Sequence, residues 1–138
     1  DAIFALSDDV VPNESEAEAL TGIAVADLDA ALRAGDALLA RGAGTAVITL
    51  GERGALLHAR DRSIHIASFP AGKVIETTGA GDAFVGGCAA SLADGQDPLE
   101  SARFGSAAAG ISVKRPGTAR AMPRREEIEM LLKEHSPS

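Results

Sequence analysis

The segment Thr45-Ala46-Val47-Ile48-Thr49-Leu50 constrains the fold more than any other part of the chain, because it is a continuous apolar run closed by Gly51. It lacks the alternation of a strand with one wet face, and so reads as a strand buried on both faces in a parallel sheet. Such a strand needs helices over it, and the flanking sequence supplies them. Upstream, Leu28, Ala31, Leu32, Gly35, Leu38 and Leu39 hold the i, i+3, i+4, i+7 spacing of an amphipathic helix, with Gly42 where a helix stop belongs. A shorter helix is expected over 14–20, closed by Thr21-Gly22, after a strand end at Val10-Val11-Pro12. Downstream, 55–59 and 63–67 read as short strands joined by Arg60-Asp61-Arg62, an antiparallel addition at the sheet edge. Three helices follow over 80–93, 98–113 and 124–133. The second opens with Asp97 as N-cap, Pro98 at the first helical position and Glu100 three residues after the cap.

Strands alternating with helices define an α/β domain with a mostly parallel sheet flanked by helices. A chain of 138 residues, 46% of them hydrophobic, has the size of one domain and can bury a real core, so a single domain is expected over 1–138. Net charge is −7 and the longest basic cluster is Arg124-Arg125, which argues against nucleic acid or an anionic membrane as the main partner. A small molecule is the expected ligand. The single cysteine, Cys88, cannot form an internal disulfide, and no apolar run reaches the roughly 18 residues of a spanning helix, so a cytoplasmic location is expected. The first residues carry neither a basic stretch nor a long apolar one, and so do not form a signal peptide. The missing initiator Met suggests a start inside a longer protein.

The chemistry concentrates in Glu76-Thr77-Thr78-Gly79-Ala80-Gly81-Asp82-Ala83-Phe84. Three residues with almost no side chain let an anion reach the backbone N–H groups, and the helix behind them adds the positive end of its dipole. Asp82 in the first helical turn can then meet both a phosphate and a hydroxyl, the geometry of phosphoryl transfer. A purely structural explanation competes, since an acid there also offsets the macrodipole. Gly79 and Gly81 count against it, because helix stability would favour other residues. The string is neither a P-loop, which needs G-x-x-x-x-G-K-[ST], nor a dinucleotide turn, since Phe84 stands where that fingerprint wants glycine.

Two further constellations have both a structural and a functional reading. Asn13 and Glu16 in Pro12-Asn13-Glu14-Ser15-Glu16 form a capping box, and the same amide and carboxylate can hold a magnesium-bound water beside a triphosphate. Thr49-Leu50-Gly51-Glu52-Arg53-Gly54 follows the central strand, where α/β sheets place ligands, yet is also a plain tight turn. Arg53 either touches a phosphate or faces water. His58, His65 and His135 have no neighbours at metal or triad spacing and read as surface or edge positions, while Cys88 reads as a small buried residue.

Together, 12–18, 47–54 and 77–84 resemble the ribokinase-like (PfkB-type) carbohydrate kinases. The likeness extends through Ala107-Ala108-Ala109-Gly110-Ile111-Ser112-Val113, Arg115-Pro116-Gly117 and Pro123-Arg124-Arg125-Glu126-Glu127-Ile128. The resemblance implies the C-terminal, nucleotide-binding part of an ATP-dependent sugar kinase that phosphorylates a hydroxymethyl group. It implies Asp82 as the base and the amides of Gly79, Ala80 and Gly81 as the donors to the transferring phosphoryl group. Asn13 and Glu16 match the N-x-x-E pair that organises Mg²⁺ and phosphate. Thr49, Leu50, Gly51 and Gly54 match the nucleotide-binding strand end, and Ser106 an adenine contact. A potassium site is implied at Glu76, Thr78, Ser112, Arg115, Gly117 and Ala121, and a homodimer for the parent protein. At position 76 glutamate replaces the family's usual aspartate, moving the carboxylate outward by one methylene. The N-terminal half with the sugar-binding residues and lid has no counterpart in these residues, so the isolated chain is expected to be inactive. Alternatives are a kinase of the same family for fructose, a keto-deoxy sugar acid or a nucleoside, or a non-catalytic nucleotide-binding fragment.

Overall fold

The computed structural model describes residues 9–69, 80–113 and 123–134, which fall into two compact units, one ending at Ala67 and one beginning at Ser68. The first unit runs β1 (Asp9–Val10), α1 (Glu14–Thr21), α2 (Leu28–Ala40), β2 (Thr45–Thr49), a single 3₁₀ turn (Gly51–Arg53), β3 (Ala55–Ala59) and β4 (Ser63–Ile66). Its strands form one sheet in the order β1-β2-β3-β4.

Both helices of this unit begin where side chains relieve the unpaired N–H groups of a first turn. In α1 the Asn13 Oδ1 accepts from the Glu16 N–H at 2.7 Å and Glu16 Oε1 accepts from the Asn13 N–H at 3.0 Å, the complete capping box. The helix ends on Gly22, whose φ of 76° only glycine adopts without strain and whose N–H reaches Glu18 O at 2.7 Å. In α2 the cap is Asp27, whose Oδ1 accepts from Ala30 N–H at 2.7 Å. The apolar stripe anticipated on α2 packs as expected. Ala31, Ala34 and Leu38 are fully buried against Ala46 and Ile48 of β2 and Leu56 of β3, joined by Ala17 and Leu50. Burying a side chain such as Leu38 contributes about 1.5–3 kcal/mol.

The central strand is covered on both faces. Ala46 and Ile48 belong to the core under α2, while Val47 and its cross-strand partner Leu57, pointing the other way, are 1% and 0% exposed. The sheet is α/β in character, but among the described strands only β1–β2 is parallel, and β2–β3 and β3–β4 are antiparallel. An apolar run reports that both faces are dry. It does not report the direction of the neighbour, and the tight turn after β2 brings β3 back alongside it with Thr49 paired to Ala55.

The second unit contains α3 (Ala80–Ala93), α4 (Pro98–Ser112) and α5 (Arg125–Glu134). Asp97 caps α4 by accepting from Glu100 N–H at 2.8 Å, with Pro98 in the first turn, as the sequence indicates. Ala83 from α3, Phe104, Ala107, Ala108 and Ile111 from α4, and Ile128 and Leu131 from α5 close a core around Phe69. The small residues on α3 and α4 have a packing purpose. A Cβ on Gly105 would lie 2.6 Å from the Phe84 carbonyl oxygen, and one on Gly87 would lie 3.2 Å from Gly105 Cα, so the backbones meet too closely for side chains. Arg125 fastens the start of α5, pairing with Asp94 Oδ2 at 2.6 Å and stacking over the Phe104 ring at 5.4 Å. No described helix is long and apolar enough to cross a membrane.

Candidate functional site

In the first unit the fold brings together two segments that lie far apart in sequence. Asn13 forms an isolated parallel bridge with Thr49, and the Thr49 N–H donates to Pro12 O at 3.0 Å, so the start of α1 and the carboxyl end of β2 are one backbone surface. This is the end of a parallel strand pair at which α/β folds take ligands. Beyond Thr49 the chain makes a closed turn: Leu50 N–H donates to Gly54 O at 2.8 Å, Arg53 N–H to Leu50 O at 3.1 Å and Gly54 N–H to Gly51 O at 3.0 Å. Gly51 and Gly54 sit at φ of 59° and 88°, so the turn depends on glycine at both places. Leu50 is buried and anchors it, while Gly51 is exposed and presents backbone to solvent.

The capping box leaves Asn13 and Glu16 with spare capacity. Each uses one oxygen on the other's N–H, and Glu16 Oε2 and the Asn13 amide nitrogen remain on exposed side chains. A rigidly held carboxylate oxygen of this kind is a hard ligand, suited to Mg²⁺ that keeps its waters. The structural and the functional reading of this pair are therefore compatible.

In the second unit Asp82 is the third residue of α3 and is exposed, whereas Ala83 and Phe84 directly after it are buried and pin the helix start. Among the described residues Gly81 has no packing reason to be glycine: its φ lies outside the left-handed region, and a Cβ built on it meets none of them within 4 Å. Ser106 is 5% exposed in the middle of α4, and Ser112 is 2% exposed in its last turn, where helix carbonyls without intrahelical partners favour a cation. Cys88 is buried, as expected. Glu76, Thr78, Gly79, Arg115, Gly117, Ala121 and His135 lie outside the described residues.

One reading of the sequence needs correction. His58 is not a surface position: it is 8% exposed, its Nε2–H donates to Asp36 Oδ1 at 2.7 Å, and its Nδ1 shares a hydrogen bond with Ser63 Oγ at 2.5 Å. The ring also lies against Gly35, where a Cβ would come within 2.6 Å of His58 Cδ2. This cluster ties α2 to the β3–β4 hairpin and borders a surface hollow of about 440 Å³ with Leu39, Arg60 and Arg62. The hollow sits where Ala59 pairs with Thr45, the opposite end of β2 from Thr49, and so is no part of the strand-end surface. Arg53, read as touching phosphate or facing water, is 43% exposed and in addition makes contacts that the sequence does not indicate. Its guanidinium pairs with Glu14 Oε2 at 2.8 Å and donates to Ala26 O at 3.2 Å. Residues 22 or 39 apart leave no local spacing signal, which is why neither contact is legible in the sequence. His65 keeps its edge position, and its Nε2–H donates to Arg53 O at 2.5 Å.

The pfkB family carbohydrate kinase model matches residues 1–125. Over 136 residues the chain is 40% identical to ribokinase of Haemophilus influenzae (strain Rd), covering 99% of this chain and 44% of that protein. Arabidopsis thaliana ribokinase complexed with ribose and ATP superposes with a TM-score of 0.84 at 32% identity, over 91% of this chain and 41% of that one. Escherichia coli phosphofructokinase-2 in complex with potassium gives a TM-score of 0.82 at 28% identity, over 96% and 43% respectively. The chain thus spans less than half the length of these proteins.

Proposed function

The chain belongs to the pfkB family of carbohydrate kinases, and from that membership we propose that it is the C-terminal, nucleotide-binding part of an ATP-dependent sugar kinase. In this reading Asp82 takes the proton from a sugar hydroxymethyl group. The resulting oxygen attacks the γ-phosphorus in line, the bond from that phosphorus to the β–γ bridging oxygen breaks, and ADP leaves. The amides of Gly79, Ala80 and Gly81 donate to the phosphoryl oxygens as charge develops on them. The observation that carries the proposal is an exposed carboxylate in the first turn of α3 beside a glycine, Gly81, that neither φ nor packing among the described residues requires. Backbone access by an anion accounts for that glycine.

Thr49, Leu50, Gly51 and Gly54 bind the nucleotide in this reading, Ser106 contributes an adenine contact, and Asn13 and Glu16 hold Mg²⁺ through water. The metal supplies charge neutralisation on the phosphates when bound. A monovalent cation, potassium, is held by groups that include Ser112 and Glu76, a reading supported by the potassium complex of the phosphofructokinase-2 neighbour. The reading extends to ribose or a related sugar as acceptor, a cytoplasmic location and a homodimeric parent. The test is Asp82→Asn in the full-length protein. The expected result is a fall in kcat of about 10²- to 10⁴-fold with nucleotide affinity almost unchanged. An unaltered kcat would remove Asp82 from the chemistry, and a panel of sugar acceptors identifies the substrate.

A further inference from the structure

We infer that Arg53, through its ion pair with Glu14, is a positioning residue that fixes the glycine turn after β2 against the start of α1 and so sets nucleotide affinity. The inference rests on the nucleotide-binding reading above. Two walls of the proposed site meet here: residues 49–54, which carry Thr49, Gly51 and Gly54, and the helix start with Asn13 and Glu16. On one side they are joined by main chain, through the Asn13–Thr49 bridge and the Thr49 N–H to Pro12 O bond at 3.0 Å. On the other side the connection is a side chain. The Arg53 guanidinium reaches Glu14 Oε2 at 2.8 Å with one nitrogen, and with the other reaches Ala26 O at 3.2 Å in the segment before α2.

The remaining Glu14 oxygen, Oε1, lies 3.8 Å from where a Gly51 Cβ would stand, so the pair sits over the exposed glycine of the turn. The Arg53 carbonyl is held in turn by His65 from β4. Arg53 is thereby gripped at its head and at its backbone, and the turn between has little freedom to shift relative to Glu16. Glu14 itself is left out of the capping box, which Asn13 and Glu16 complete alone. Neither helix capping nor turn closure requires the pair.

Its energetics point the same way. The two side chains are 43% and 40% exposed, and ion pairs at such exposure add little to folding stability. Small displacements of groups that hold a reacting phosphate, by contrast, cost affinity and rate steeply. Arginine suits the task better than lysine, because a planar fork can serve a carboxylate and a carbonyl at once.

The experiment is a double-mutant cycle in the full-length protein with Arg53→Gln, Glu14→Gln and the two combined. It reads affinity for the magnesium complex of a non-hydrolysable ATP analogue, KM for ATP against kcat, the urea midpoint, and amide exchange at Gly54. Each single variant should weaken the analogue about 5- to 20-fold, mostly through KM, and the double variant should be no worse than either single, as expected for one shared contact. The urea midpoint should hold, and exchange at Gly54 should quicken. Unchanged affinity in both single variants overturns the inference, as do additive losses or a loss that follows a lowered urea midpoint. If the unmodified protein fails to bind the analogue, the nucleotide-binding reading falls. The Gly54 exchange rate still reports whether Arg53 holds the turn, and unaltered exchange in Arg53→Gln then overturns the positioning role independently.

Discussion

Replacing Gly105 with alanine tests the claim that α3 and α4 are held together by backbone approach. The substitution should stabilise an isolated helix, because alanine exceeds glycine in helix propensity by about 0.5–1 kcal/mol. In the fold the new methyl would lie 2.6 Å from the Phe84 carbonyl oxygen and 3.3 Å from both Cβ and N of Cys88. The oxygen is part of a helix backbone and cannot rotate away as a side chain would. The helices must separate by about 0.8 Å to restore ordinary contact, and a gap of that size forfeits about a quarter to a half of the dispersion energy at each affected contact. The losses include the approach of Gly87 to Gly105 and Ala108. Overpacking of this kind costs about 1–3 kcal/mol, which set against the propensity gain leaves a net destabilisation of up to about 2.5 kcal/mol, centred near ~1 kcal/mol. The control is Gly86→Ala on the same α3, where a Cβ meets none of the described residues within 4 Å and the propensity gain should dominate. Urea unfolding followed by circular dichroism should therefore move the midpoint down for Gly105→Ala and up for Gly86→Ala. If Gly105→Ala matches or exceeds the unmodified protein, the close-approach argument is refuted.

The same logic applies in the first unit, where Gly35→Ala drives a methyl to 2.6 Å from a His58 ring that two hydrogen bonds hold in place. It should lower stability by about 1–2 kcal/mol, and His58→Ala added to Gly35→Ala should cost less than the sum of the two, measured as a double-mutant cycle by thermal unfolding. Potassium is expected to raise turnover of the full-length protein, with the response shifted when Glu76→Asp restores the shorter carboxylate. Titration of KCl against NaCl in a coupled ADP assay checks it, and equal activity in both salts would count against the cation site.

Much of the fold is legible in the amino-acid string. Periodicity identifies α2 down to its buried Leu38, the Asp97 cap and Pro98 mark the start of α4, and the glycine after Thr21 marks the end of α1, because caps and periodic faces are local properties carried within a few residues. The dryness of β2 is legible as well, since an unbroken apolar run has no face to offer water. Sheet direction is legible only in part: the polar turn at 60–62 marks the antiparallel edge pair β3–β4, but the β2 run does not reveal the direction of its neighbours. The same run is compatible with a parallel neighbour on one edge and an antiparallel one on the other, and the turn after Thr49 produces that arrangement.

The candidate site divides along the same line. Asn13, Glu16, Gly81 and Asp82 announce themselves because the roles proposed for them depend on spacing within a single turn of helix, and the ordered motifs around them are enough to place the chain among the carbohydrate kinases. The residues in order thus specify an inventory: the elements, their caps and the short strings proposed to meet phosphate. Which distant side chains share a surface is settled only by folding, as when Arg53 turns to Glu14 and His58 closes on Asp36 and Ser63. The difference is one of range. Capping and periodicity act over three or four residues and leave a pattern in the string, whereas an ion pair across 39 residues depends on the path the backbone takes, and that path is set by the packing of the whole unit.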